Sequence, residues 1–328
     1  MPNLTRRSFT TLALAGLAMP SVRTARAAPQ VVTTASLLGE DKPETRVWHH
    51  IAERLEARLP GRFSFRIVPN AALGGEREVA EGVRLGSIQA SLSTLSAMSG
   101  WVPEAQALDL PFLFDDAAHL RRALDGAAGE DLRARLVAQR FIAPAFINYG
   151  ARHLLAKEPT TRVEQLDGLR IRVIQSPLHT GLWSAYGAQP TAIPIPETYN
   201  ALQTGVVDAM DLTKSAYAGF RLYEVVPQVT ETAHIWAAGV VYFSAPFWNG
   251  LSEEERDAVA EASVEGARFF DEAIAEDEAR SMEEAVAAGA ELHQPEERDQ
   301  WAEIARGIWP DFADQVGGME RIEAIQAA

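Results

Sequence analysis

Short runs of alternating apolar and polar positions recur through the first three quarters of the 328-residue chain. In "RFSFRIV" (62–68), Phe63, Phe65 and Ile67 fall on one face of a period-two strand. "VVTTAS" (31–36), "FIAPAFI" (141–147), "LRIRVI" (169–174), "TAIPI" (191–195) and "AGVVYFS" (238–244) continue the series. Helical spacing occupies 44–58, 76–85, 116–139, 178–186 and 197–204, the last closed by Gly205 as a C′ residue. This alternation of strand and helix predicts an α/β fold with largely parallel sheets.

A different pattern follows. Ser252 and Glu255 stand in capping-box spacing. Apolar or small residues then recur at 259, 263, 266, 270 and 274, and again at 282 and 286, with no proline before Ala288. At 1.5 Å per residue that helix is roughly 55 Å long, more than the width of one small domain. Its many acids exclude a membrane span, and a helix bridging two α/β lobes accounts for its length.

The N-terminus changes the picture of where the chain works. Arg6 and Arg7 precede a short apolar run from Leu12 to Met19, and Ala25 and Ala27 supply small-x-small spacing. The run is too short to cross a bilayer of ~30 Å, so residues 1–27 read as an export signal. With Phe9 two positions on, the arginine pair resembles a twin-arginine signal, though Thr10 stands where leucine is usual. An ordinary secretory signal that begins Arg-Arg reads equally well. Removing 1–27 removes four arginines and no acids, so the formal charge moves from −15 to −15 − 4 = −19. That surface repels nucleic acid and anionic lipid, leaving a soluble periplasmic protein that does not insert in the membrane. The absence of cysteine excludes disulfides and thiolate chemistry.

Catalytic signatures are missing: there is no G-x-S-x-G, H-E-x-x-H, Walker or dinucleotide-binding motif. His49 and His50 would diverge by about 100° on a helix, so they do not form a metal pair. Asp109, Asp115 and Asp116 read as turn and cap acids. The glycines of "ALGGERE" (72–78) could cradle a phosphate, but Glu76 and Glu78 in the following helical turn would repel it. Arginines remain. Arg170 and Arg172 share one face of "LRIRV", and Arg172 lies nearer the carboxyl end, where open α/β sheets bind ligands. Arg152 follows "INYG" after another expected strand. Two guanidinium groups so placed suit a carboxylate, which each can grip with paired hydrogen bonds. The competing explanation is that each simply pairs with one of the 45 acids.

From about Val31 to Gly317 the chain resembles the DctP-like solute-binding proteins of TRAP (tripartite ATP-independent periplasmic) transporters. The resemblance rests on the order and spacing of "PNAALGGEREVAEGVRLGSIQAS", "ALDLPFLF", "NYGARH", "LDGLRIRV", "ETYNALQTGVVDAMD" and "LYEVVP". It implies a two-lobed periplasmic solute-binding fold, with a ligand cleft, hinge strands and one long helix shared by both lobes. Lobe I is expected over 28–149 plus 238–277, and lobe II over 150–237 plus 278–328. It also implies a small organic-acid ligand, delivery to TRAP membrane subunits, no cofactor, no catalysis and action as a monomer.

Matched residue by residue, Arg172 is the family's principal carboxylate-binding arginine and Arg152 a second that contacts ligand in some members. Glu76 matches an acid that accepts hydrogen bonds from ligand hydroxyl or amine groups, and a helix-start acid explains it equally well. Thr94 matches a polar contact, with core packing as its competitor. Asp211 would join Glu76 in bonding hydroxyl, amine or a bridging cation. Trp236 would wall the cleft or simply fill core. Two departures bear on specificity: in "VDAMDL" (207–212) Asp211 and Leu212 replace the usual Glu and Asn, and Ile195 stands where Phe often packs on ligand. Losing the Asn donor costs about 1.5–3 kcal/mol unless another group replaces it, so the ligand need not be sialic acid or a C4-dicarboxylate. The implied function is binding of a monocarboxylate such as a sugar acid, hydroxy acid or keto acid. Ligand binding for a membrane sensor, or an exported enzyme acting on a small carboxylate, are the competing functions.

Overall fold

A computed structural model describes residues 28–328, so the export signal expected over 1–27 lies outside the described residues. The strands are β1 (Gln30–Ala35), β2 (Phe63–Val68), β3 (Ala90–Thr94), β4 (Phe141–Ala156), β5 (Arg170–Val173), β6 (Gln189–Ala192), β7 (Ala209–Thr213), β8 (Gln228–Ser244) and β9 (Glu291–His293). They form one sheet in the order β2-β1-β3-β8-β4-β7-β5-β6, with β9 on β8. The sheet is mixed rather than largely parallel. β1 pairs parallel with β2 and β3, and β5 with β6 and β7, but β8 runs antiparallel to β3 and β4, and β4 antiparallel to β7.

The two long strands β4 and β8 cause that difference and divide the molecule. β3 pairs with the C-terminal half of β8, whereas β7 pairs with the C-terminal half of β4. Each long strand therefore serves two lobes. Their mutual register slips between Asn148 and Ala151 and again between Arg152 and Leu154. Gly150, at φ +94°, sits in the first slip, and there only glycine turns without strain.

One apolar cluster, including Trp48, Phe243 and Phe270, packs under the first lobe. A second, including Leu202, Met210 and Tyr217, packs under the other. A third runs behind the sheet from Val79 through Phe141 to Trp183 and Trp301. The helix Glu253–Ala287 has the expected capping box and packs on helix Pro43–Arg58, on β4 and on helix Lys214–Gly219, touching both lobes. The pattern over 116–139 proves to be two helices, Ala117–Asp125 and Ala127–Ala138, joined at Gly126. They fold back so tightly that a Cβ on Gly129 would lie 1.8 Å from the Leu124 carbonyl oxygen. Among the described residues no helix is long and apolar enough to cross a membrane.

Candidate functional site

Beside the register slips lies a cavity lined from β3, β4, β5 and β7 and from the helices around them. Arg152 and Arg172 reach it from β4 and β5, and Glu76 and Thr94 from the first lobe. Asp211 and Trp236 are not among its lining residues: Asp211 stands behind Arg152, and Trp236 packs partly buried against the rear apolar cluster.

The paired arginines of "LRIRV" separate. Arg170, at the outer end of β5, is exposed and pairs with Asp208 at 2.6 Å. Arg172, two residues nearer the cavity, is 2% exposed. Its Nε donates to the Ile193 carbonyl at 2.8 Å, and among the described residues no carboxylate lies within ion-pair distance of it. Burial first, then the Arg152 charge, lowers its pKa to about 10 against the pull of Asp211 and Glu76. It is a desolvated cation with its distal nitrogens uncommitted.

Arg152 is equally buried but ion-paired. Its Nε donates to Asp211 Oδ2 at 2.6 Å, and its Nη2 to the Asp211 carbonyl at 2.8 Å. Asp211 Oδ2 also lies 3.3 Å from His234 Nε2 and 3.7 Å from His179 Nδ1. His179 Nε2 approaches Asp109 Oδ2 at 3.3 Å, and Ser96 donates to the same carboxylate oxygen. Burial pushes the Asp211 carboxyl up, but Arg152 and the two histidines outweigh it and hold it well below the usual range. Burial likewise depresses His179, yet the neighbouring Asp109 and Asp211 carboxylates raise it on balance. Asp109, which the sequence marks as a turn acid, is wholly buried in this chain of polar groups.

Glu76 Oε1 accepts from Ser93 Oγ at 3.0 Å and from the Thr94 amide and hydroxyl at 2.7 Å each. Thr94 therefore orients the acid and also caps the short helix Leu95–Met98. Sequence reasoning missed Glu44 and Tyr149, which line the same wall; the Tyr149 hydroxyl donates to Glu44 Oε1 at 3.2 Å. Glu44 reads as an ordinary first-turn acid in "KPETRV", and only its burial distinguishes it. Ser215 also lines the cavity, but its hydroxyl donates to Asp277 at 2.6 Å. The remaining wall is mostly aliphatic, with Leu37, Leu38, Ile174, Ile274 and both departures, Ile195 and Leu212, joined by Phe220 and Thr213. No three metal-ligating side chains converge among the described residues.

Two lobes on shared strands, closed around a cavity with a desolvated arginine, define a solute-binding protein. The family model for bacterial extracellular solute-binding proteins, family 7 (DctP), matches residues 34–315, and the chain belongs to that family. A solute-binding protein of Verminephrobacter eiseniae is 29% identical over 84% of this chain and 83% of its own length. A TRAP periplasmic solute-binding protein from a Bradyrhizobium species, solved with α/β-D-galacturonate, is 29% identical, with TM-score 0.88 over 91% of this chain and 100% of that one. Another, from Shewanella oneidensis with bound succinate, is 27% identical, with TM-score 0.87 over 92% and 99%. The resemblance read from the sequence motifs and the two-lobed fold it implied are both borne out.

Proposed function

We propose that the protein binds a small monocarboxylate in the periplasm (a sugar acid, hydroxy acid or keto acid) and hands it to TRAP membrane subunits, acting as a monomer by binding and release rather than turnover. The observation that carries this reading is Arg172, buried at the cavity wall with no carboxylate partner among the described residues. A ligand carboxylate supplies the missing counter-charge and can accept paired hydrogen bonds from its guanidinium. Arg152, already neutralised by Asp211, is a second donor rather than a second anchor. Asp211 acts by holding Arg152, Thr94 by holding Glu76, and Trp236 by packing behind the cleft. The relatives solved with galacturonate and succinate support a carboxylate ligand. Lobe I comprises 28–149 plus 238–277 and lobe II 150–237 plus 278–328, with a cleaved signal at 1–27. The register slips at Asn148–Leu154 support a hinge there.

The test is thermal unfolding of the mature protein against sugar acids, hydroxy acids, keto acids and dicarboxylates. A ligand at 100 times its dissociation constant stabilises the native state by ~2.7 kcal/mol. The expected result is a melting shift with one class that Arg172→Ala abolishes, its affinity lowered about 30-fold or more. A shift that survives Arg172→Ala would put the anchor elsewhere.

A further inference from the structure

Glu44 has no role in the function proposed so far, yet it is a buried acid on the wall of the same cavity. It lies in the first turn of helix Pro43–Arg58 and is 5% exposed. Among the described residues, no lysine or arginine lies within ion-pair distance of Glu44 or of Glu76. Glu76 interacts electrostatically with both Arg172 and Glu44. Glu44, on helix Pro43–Arg58 packed against β2, enters the cavity from the first-lobe side together with Tyr149, whereas Arg172 enters it from β5 on the other side.

The charges on these walls restrict what can enter. Arg152 and Asp211 cancel, leaving Arg172 positive and Glu76 negative. A monoanion neutralises Arg172, whereas a second carboxylate would meet Glu76 with no cation to receive it. Two carboxyl groups in one dry wall do not both ionise readily, and burial followed by repulsion from Glu76 raises Glu44 to about 8, against the Tyr149 hydrogen bond. Tyr149 on β4 is itself raised far above its ordinary value, and Lys42, just before the helix, is held by Asp277 of the long helix at 3.2 Å. Glu278 of the same helix abuts Gly150, next to Tyr149, and burial raises it to about 7, so the part of any pH profile that survives in Glu44→Gln belongs to it. The uncommitted part of a protonated Glu44 can both donate to and accept from a hydroxyl.

We propose that Glu44, carrying a proton and steadied by Tyr149, is a specificity-determining residue that hydrogen-bonds a hydroxyl remote from the carboxylate, so that the site takes hydroxymonocarboxylates and turns away dicarboxylates. This rests on the carboxylate reading above and deepens it. Deprotonation of Glu44 sets a second negative charge beside Glu76 and removes the donor, so ligand affinity falls as pH rises past about 8.

The test is calorimetric titration of the mature protein with D-galacturonate, D-gluconate, D-erythronate, glycerate and succinate between pH 6 and 9. Wild type should bind one hydroxymonocarboxylate at least ten times more tightly than succinate, and lose about ten-fold in affinity from pH 7 to pH 9. Glu44→Gln, neutral at every pH, should keep the neutral-pH affinity within a few-fold and give a profile that is flat above about pH 8. Tyr149→Phe removes a bond that favours the ionised form, so its decline should begin at higher pH. An unchanged alkaline decline in folded Glu44→Gln, or succinate binding as tightly as the hydroxy acids, overturns the inference. If those results accompany binding that Arg172→Ala destroys, the carboxylate reading stands and only the role of Glu44 fails. No binding of any of these acids to ligand-free wild type overturns both.

Discussion

Arg152 and Arg172 are chemically identical, each 2% exposed, and face one cavity, yet the protein treats them oppositely. Arg152 is built into a polar chain: Asp211 receives two of its donors, and His179, His234 and Asp109 back that carboxylate. Arg172 has one backbone carbonyl. Burial opposes both charges; at Arg152 the Asp211 carboxylate more than compensates, so its pKa rises, and at Arg172 nothing does, so it falls. A buried cation with its counter-ion inside the fold is structural by default. One whose counter-ion is missing is poised for an anion from outside.

The most damaging way to break this contrast is Asp211→Asn. It removes the charge on which Arg152 depends and leaves a guanidinium buried among histidines. Loss of one partner of a buried pair costs about 3–5 kcal/mol, so the unliganded variant should unfold at markedly lower denaturant concentration than wild type. An unchanged midpoint would mean that Arg152 is as free as Arg172, and the comparison would collapse.

His179→Gln should do less, and only in part of the pH range. The folded protein raises His179 above its ordinary value of 6.5 through Asp109 and Asp211, despite burial. Its protonated form is therefore favoured by folding. That contribution is complete below about pH 6.5 and is lost as pH rises through the folded value. Denaturant unfolding of wild type and variant should differ most near pH 5.5, by about 1.5–3 kcal/mol for charge-assisted hydrogen bonds, and converge at alkaline pH. A difference that grows with pH would mean that His179 is buried neutral.

How much of this was legible beforehand follows the same division. The capping box at Ser252 and the unbroken spacing behind it were enough for the long helix, because both signals are local. β3 and β7 escaped notice because "ASLST" and "AMDLT" lack the β-branched alternation of a recognisable strand; their place is set by β8, β4 and β5 alongside. β4 reads as ending before Gly150, since glycine normally stops a strand, whereas here it bends one that continues to Ala156. Arg172 could be picked out from strand period and the ligand-binding end of a sheet. Glu44 and the Asp109–His179–Asp211 chain could not, because Asp109 lies 70 positions from His179, which itself stands on a different element from Asp211, or because the residues look like helix and turn acids. Burial, which no single sequence states, is what gives them chemistry.

The smallest expected effect sharpens the comparison most. Arg172→Met replaces a buried charge by an unbranched apolar side chain beside Ile174, Ile195 and Leu212. It frees the Ile193 carbonyl of one donor, worth about 1 kcal/mol, and removes the desolvation of an unpaired guanidinium, which acts in the opposite direction. At pH 7 the unliganded variant should therefore unfold within about 1 kcal/mol of wild type, or above it, while the carboxylate-induced melting shift disappears. Asp211→Asn should show the reverse emphasis, a large loss in the empty protein. If Arg172→Met instead destabilised the empty protein as severely as Asp211→Asn, Arg172 would belong to the scaffold, and its missing counter-ion would no longer argue for a ligand.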